Sequence, residues 1–383
     1  MPARRFDIFC RVVDNYGDAG VCWRLARQLV SEHGAAVTLW IDALASLARI
    51  APGLDAHVPD QRCAGVRVRT LVTSPLARFA LADVVVEGFG CGLPDDYVAA
   101  MADASHAPLW INLEYLSAEP WVELAHGLPS PQPRLPLTRY FYFPGFTVAT
   151  GGLLRESGLL NARVAETASN AAGDALWRGL GMPPPQGGTL AVSLFSYANA
   201  ALPALLDAWA EGDEPVRCLV PEGVASAALD VWTGGAVPHA GEAVVRGGLT
   251  LRSLPFAAQD DYDRLLWHCD LNIVRGEDSF VRAQWAARPF VWHIYPQADD
   301  AHRVKLTEFL HRYESGLDAG TSAIVTRFWN AFNDADGPAT VEAWPAYRAR
   351  LPALSRHGAR WAEHLAALPD LASGLVRFCE VRL

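Results

Sequence analysis

The chain has 383 residues, of which 51% are hydrophobic and 19% charged, with 26 prolines and 31 glycines dispersed along it. That length exceeds what one hydrophobic core usually serves, which predicts two domains, and the composition excludes a disordered chain. The formal net charge of −10 excludes a general affinity for nucleic-acid backbone or anionic lipid, while leaving room for one local basic pocket.

The amino-terminal half alternates strand-like and helix-like runs, the pattern of a parallel sheet with helices on its faces. Phe6 to Val13 reads as the first strand, and Asp14 to Gly20 as a loop. Val21 to Glu32 reads as a helix stopped by Gly34. Strands are then expected at Ala36–Ile41, Asp83–Glu87 and Leu109–Leu113, with a short helix at Leu44–Ile50. From Gly151 to Gly188 the pattern is irregular and ends in Met182-Pro-Pro-Pro-Gln-Gly-Gly, which suits a connection. A second alternating series follows, with strands near Thr189–Leu194, Val216–Val220, Leu249–Leu254, Leu271–Val274 and Phe290–Ile294. Its helices are expected near Leu202–Glu211, Asp261–Cys269 and Ser279–Ala287. Beyond Ala301 the pattern is helical, at Leu306–Tyr313, Ile324–Asn333, Val341–Leu368 and Leu371–Val381, with Pro345 and Pro352 expected to break the third. The expected division is therefore 1–152, an irregular connection at 153–188, and 189–383, giving two Rossmann-like α/β domains facing across a cleft and a helical carboxyl-terminal region, one helix of which can pack back across the first domain.

No run approaches the roughly 20 apolar residues of a membrane span, and the amino terminus lacks a signal-peptide core, so a cytoplasmic protein without membrane or nucleic-acid partners is expected. The seven cysteines are widely spaced without a C-x-x-C pair, and the eleven histidines are scattered. Neither pattern supports a disulfide framework or a zinc site, and no bound metal is expected.

In open α/β sheets ligands gather at the carboxyl ends of strands, so the loops after strands are where chemistry is sought. The segment Arg275-Gly-Glu-Asp-Ser279 follows a strand and opens a helix that Asp278 or Ser279 can cap. A helix start attracts anions, Arg275 adds a permanent cation, and Gly276 lets backbone approach a ligand, which together suit a diphosphate. Glu277 would repel phosphate and needs another target, such as a ribose hydroxyl; a simple Arg275–Glu277 pair in a turn is the alternative. Asp14 and Asp18 lie after the first strand, where a dinucleotide loop would be glycine-rich and uncharged. Two carboxylates there suit proton abstraction and the gripping of a cation, whereas a helix cap and an Asx-turn are the structural alternative. Phe195 and Tyr197, together with Phe256 and Gln259, follow two strands of the second half; their rings and amide can hold a nucleobase or can be ordinary packing. Tyr295 can reach a diphosphate or can be a rim aromatic. His293 and His302 read as structural.

Three long strings, Phe9 to Arg27, Phe195-Ser-Tyr197, and Arg275 to Trp285 followed by Pro289 to Gln297, closely resemble the bacterial protein-arginine rhamnosyltransferases that mature elongation factor P. The likeness spans nearly the whole chain. It implies a GT-B type glycosyltransferase that uses dTDP-β-L-rhamnose without a cofactor or metal and inverts the anomeric centre to leave α-rhamnosyl-arginine on elongation factor P, the modification that activates this factor for rescue of polyproline-stalled translation. It implies catalytic roles for Asp18, as general base, and for Asp14 and Glu277. It places Tyr16, Gly17, Phe195, Tyr197, Phe256, Gln259, Arg275, Gly276, Glu277, Asp278, Ser279 and Tyr295 around the donor. Three competing functions remain at this point: a nicotinamide oxidoreductase with Asp42 as ribose ligand, a transferase with another acceptor, and a non-catalytic nucleotide-sugar sensor.

Overall fold

The computed structural model describes residues 4–14, 16–71, 80–297 and 300–383. The chain divides into two compact units, Met1–Ser157 with Leu365–Leu383, and Gly158–His364.

In the first unit the elements run β1 (Arg5–Cys10), α1 (Gly17–His33), β2 (Ala36–Ile41), α2 (Leu44–Ile50), β3 (Asp60–Cys63), β4 (Val66–Thr70) and β5 (Val84–Gly88). They continue with α3 (Asp95–Asp103), β6 (Leu109–Leu113), α4 (Trp121–Ala125), β7 (Pro129–Pro131) and β8 (Thr138–Tyr142). The sheet order is β3-β4-β2-β1-β5-β6-β8-β7, parallel except for the edge strands β3 and β7. Helices cover both faces of such a sheet, so its central strands are buried on both sides: all five residues of β5, Val84-Val-Val-Glu-Gly88, are buried, the polar Glu87 among them. The chain runs outward from β1 through β2 to β4, then returns to β5 and runs the other way through β6 to β8. The reversal lies between β1 and β5.

The second unit holds α5 (Leu159–Ala168), α6 (Asn170–Gly179), β9 (Leu190–Leu194), α7 (Leu202–Glu211), β10 (Val216–Pro221), α8 (Ser226–Thr233), β11 (Ala243–Arg246) and β12 (Leu249–Leu254). After these come α9 (Gln259–His268), β13 (Leu271–Arg275), α10 (Asp278–Ala286), β14 (Phe290–His293), α11 (Ala301–Glu314), α12 (Ala319–Asn333) and α13 (Gly337–Ala366). Its sheet order is β11-β12-β10-β9-β13-β14, and here the winding reverses between β9 and β13. Behind β14 and α10 lies an aromatic core in which Phe280 stacks on Trp292 at 3.9 Å and Phe309 on Trp329 at 6.1 Å.

The last helix, α14 (Leu371–Glu380), belongs to the first unit, although 189–383 was expected as one domain. Buried Gln28 on α1 anchors it by donating to Asp370 Oδ1 at 3.1 Å and to the Arg155 carbonyl at 2.8 Å. Gly152 is required there: its φ is +76°, and a Cβ would lie 2.1 Å from the Pro369 carbonyl oxygen. The segment expected to be irregular instead contains α5 and α6, because its alanine-rich stretch favours helix and Ser169 caps α6 by accepting the Ala172 N–H. Pro345 and Pro352 do not break α13. Tyr347 stacks on Phe328 at 4.4 Å and donates to the Phe290 carbonyl at 3.1 Å, so packing outweighs the lost backbone bonds. Among the described residues, no helix is long and apolar enough to cross a membrane.

Candidate active site

Ligands of doubly wound sheets bind where the strand order reverses, since the two loops leaving that point diverge and open a crevice. Each unit has one such point, and the residues singled out by sequence lie on these loops or beside them.

In the first unit β1 ends at Cys10, three residues before the expected end of the strand, and α1 begins at Gly17, four residues before the expected helix start. Asp18 is consequently not a loop residue. It stands in the first turn of α1, is 1% exposed, and its Oδ2 accepts the backbone N–H groups of Val13 at 2.8 Å and Asp14 at 2.9 Å. The physical reason for the early start is this backward reach, which satisfies loop N–H groups that the sheet has released. Asp14 is half-buried, and its carboxylate lies against the helix start: a Cβ on Gly17 would meet Asp14 Oδ2 at 2.7 Å. The Tyr16 hydroxyl accepts from Arg49 at 2.7 Å. Asn15 lies outside the described residues.

The companion loop follows β5. A Cβ at Gly88 would come within 2.9 Å of the Phe9 carbonyl oxygen and 3.1 Å of Cys22 Sγ, so glycine is what lets β5 approach β1 and α1. This loop, Gly88-Phe-Gly-Cys-Gly92, is held by two buried polar residues. Asn112 Oδ1 accepts the Gly90 N–H at 3.0 Å, and Glu87 Oε1 accepts the Gly92 N–H at 2.9 Å. Three alternating glycines after a strand are a signal of close backbone approach, legible in the sequence but not among the residues singled out there.

In the second unit the loops after β9 and β13 meet through Arg275. Its guanidinium lies 4.5 Å from the ring centroid of Phe195 and 4.7 Å from that of Tyr197, and donates to the Ser196 carbonyl at 3.2 Å. The expected capping of α10 is absent. Glu277 occupies the cap position, and its side chain does not cap the helix. Ser279 Oγ instead accepts the Arg275 N–H at 3.0 Å and donates to the Arg275 carbonyl at 2.5 Å, while Asp278 Oδ2 accepts from Gln259 at 3.1 Å. Both candidate caps tie β13 and α9 to the helix start, and the cap residue of α10 makes no side-chain cap bond to its first turn. Gly276 takes φ +57°, and its carbonyl accepts from Trp292 Nε1 at 2.8 Å.

The aromatic residues form one connected surface. Phe195 meets Phe256 at 6.4 Å and half-buried Tyr262 at 5.5 Å, and Tyr197 meets Tyr295 at 5.3 Å and His293 at 5.4 Å. His293, read as structural from sequence, stands opposite Arg275 in the β13–β14 register. Burial, aided by the positive charge of Arg275, lowers its pKa to about 4. Phe256, Gln259, Asp278, Ser279 and Arg275 are thus brought to one end of one sheet, with Tyr295 42% exposed at its margin. Asp14, Tyr16, Gly17 and Asp18 are brought to the switch point of the other sheet. No group of three or more metal-ligating side chains occurs among the described residues.

Residues 6–380 match the family described as Elongation-Factor P (EF-P) rhamnosyltransferase EarP. The protein-arginine rhamnosyltransferase of Pseudomonas putida is 51% identical over 374 residues, covering 97% of this chain and 98% of that one. Its counterpart from Pseudomonas aeruginosa is 49% identical over 373 residues, covering 97% and 98%. Among solved structures, one described as the structural basis for EarP-mediated arginine glycosylation of translation elongation factor EF-P aligns with a TM-score of 0.71 at 40% identity, covering 99% of each chain. The spinosyn forosaminyltransferase SpnP aligns over 99% of each chain with a TM-score of 0.50 at 13% identity, a likeness of fold alone, and the fold is that of GT-B glycosyltransferases. The chain belongs to the EarP family of elongation factor P rhamnosyltransferases.

Proposed function

We propose that this chain transfers L-rhamnose from dTDP-β-L-rhamnose to an arginine side chain of elongation factor P in the cytoplasm, inverting the anomeric centre and activating the factor for polyproline-stalled ribosomes. The observation that carries the reading is Arg275, a permanent cation stacked on Phe195 and Tyr197 beside the uncapped start of α10.

That arrangement suits a nucleoside diphosphate. Phe195, Tyr197 and Phe256 offer faces for the base, and Gln259 a polar edge. Arg275, Gly276, Ser279 and the first-turn N–H groups of α10 suit the diphosphate, with Tyr295 at its margin. Glu277 and Asp278 are acceptors for hydroxyl groups of the ribose or the sugar.

The acceptor chemistry falls to the first unit. A guanidinium is fully protonated at neutral pH and its lone pairs are delocalised, so attack requires proton removal and polarisation. Asp14 holds and polarises the group, while Asp18 takes a proton as the nitrogen forms its bond to the anomeric carbon. The bond from that carbon to the diphosphate oxygen breaks on the opposite face, and the electron pair leaves with dTDP. Negative charge growing on the leaving group meets Arg275 and the α10 dipole, supplying the stabilisation that a divalent cation supplies in other transferases.

Intact mass of unmodified elongation factor P, incubated with the protein and dTDP-β-L-rhamnose in EDTA, tests the reading. One deoxyhexose on one arginine is expected. An unmodified acceptor despite measured donor binding overturns it.

A further inference from the structure

His302 reads as structural from sequence, and the proposed chemistry gives it no task. It stands half-buried in the first turn of α11, and its Nδ1 accepts the backbone N–H of Gln297 at 3.1 Å. We propose that the Nε2–H of His302 binds the diphosphate of the nucleotide donor together with Arg275; this rests on the reading that the donor is a nucleoside diphosphate sugar.

The first support is the tautomer. A backbone N–H can only donate, so Nδ1 of His302 carries a lone pair, and the proton of the neutral ring is on Nε2. One nitrogen therefore pins the loop that leaves β14, while the other is a donor that meets no protein acceptor among the described residues.

Position is the second support. The loop at 295–297 leaves the carboxyl end of β14, and in the register of β13 with β14 Arg275 stands opposite His293. By holding Gln297, His302 is brought to the end of the sheet where the donor residues gather. His293 reports the proximity. It is enclosed between the rings of Tyr197, at 5.4 Å, and Phe332, at 5.3 Å, and the positive charges acting on it are those of Arg275 from β13 and His302 from α11. One buried imidazole thus lies within electrostatic reach of both proposed diphosphate ligands.

The third is charge balance. At the start of α10 the guanidinium of Arg275 is accompanied by two carboxylates, Glu277 and Asp278, which repel an anion about as strongly as one cation attracts it. A directed donor from a neighbouring element offsets that repulsion. An imidazole N–H supplies it without placing another permanent charge beside Arg275 and buried His293. As the bond from the anomeric carbon sends its electron pair to a diphosphate oxygen, a hydrogen bond to that group strengthens.

Asparagine and glutamine separate the two nitrogens. The amide oxygen of His302→Asn can replace Nδ1 as acceptor for the Gln297 N–H but leaves no donor at the position of Nε2, whereas the longer His302→Gln can place an amide N–H there. The full-length protein and both variants are titrated with dTDP by calorimetry and with thymidine by ligand-observed NMR. His302→Asn is expected to weaken dTDP binding at least about tenfold, as for a lost hydrogen bond to a charged group, with thymidine affinity unchanged. His302→Gln is expected to stay within about threefold of the unsubstituted protein for both ligands. If the unsubstituted protein does not bind dTDP, the donor reading itself fails. If it does, and His302→Asn keeps its dTDP affinity or loses dTDP and thymidine alike, His302 serves only the loop and this inference is overturned.

Discussion

Oδ2 of Asp18 accepts the backbone N–H of Asp14 at 2.9 Å, so one aspartate of the loop holds the other's backbone in place. Asp18 is not the helix cap that the sequence offered as the structural alternative, since Tyr16 holds the cap position of α1; its carboxylate braces the preceding loop, and the proposed role as base is a second, independent one. Asp18→Asn separates them, because an amide oxygen still accepts the Val13 and Asp14 N–H groups but cannot take up a proton. We expect turnover to fall by about 10²–10⁴-fold with donor affinity intact and little loss of stability. Single-turnover transfer and dTDP titration measure the two; turnover above a tenth of normal removes Asp18 as the obligatory base.

Arg275→Lys tests whether the guanidinium is needed as a plane or only as a charge. The side chain lies over two rings and donates to the Ser196 carbonyl, a geometry a single ammonium does not reproduce. We expect dTDP affinity to drop at least about tenfold, or about 1.4 kcal/mol, with the acceptor KM little changed. Calorimetric titration decides it, and an unchanged dissociation constant would show that charge alone suffices.

Much of this was legible because it is local. Alternation of apolar runs announces parallel strands covered on both faces, and the loops after strands are where an Arg-Gly-Glu-Asp-Ser string has chemical meaning. What escaped is set by partners distant in sequence. The start of α1 at Gly17 depends on Asp18 reaching back to Val13, and the missing cap of α10 on Gln259 drawing Asp278 aside. The continuity of α13 through two prolines depends on Tyr347 finding Phe290 and Phe328. A helix returning to the first unit was an option in the sequence, but that it is α14 depends on Gln28, whose bond to Asp370 spans most of the chain. None of these has a period or a motif.

Asp263 and Arg282 form a buried bidentate pair, with Arg282 Nε 2.8 Å from Oδ1 and Nη2 2.6 Å from Oδ2, and it locks α9 to α10 beneath the donor residues. Their side chains are 5% and 2% exposed, so removing one partner strips a buried charge of this bidentate pair. Asp263→Ala is expected to cost about 3–5 kcal/mol in urea unfolding, whereas an Asp263→Leu, Arg282→Met double variant recovers most of it. A double variant as unstable as the single one would place the cost in packing instead of charge.

His293 gives the chain a dependence on pH whose sign follows from its setting. Burial first, then the charge of Arg275, lowers its pKa to about 4, against roughly 6.5 in an unfolded chain. Above about pH 6.5 both states hold it neutral and it contributes no slope. As pH falls from there toward 4, the unfolded chain takes a proton that the folded chain refuses, so stability falls across that window by on the order of 3 kcal/mol from this residue. Burial lowers His126, His268 and His357 as well, so the acid limb is shared among them. His293→Asn is therefore expected to flatten that limb without abolishing it, read as unfolding free energy at pH 7.5, 6 and 5. The same variant removes the ring packed edge-on against Tyr197, so a loss of stability equal at all three values would assign His293 to packing alone, and only a loss that shrinks toward pH 5 identifies the neutral imidazole held beside Arg275.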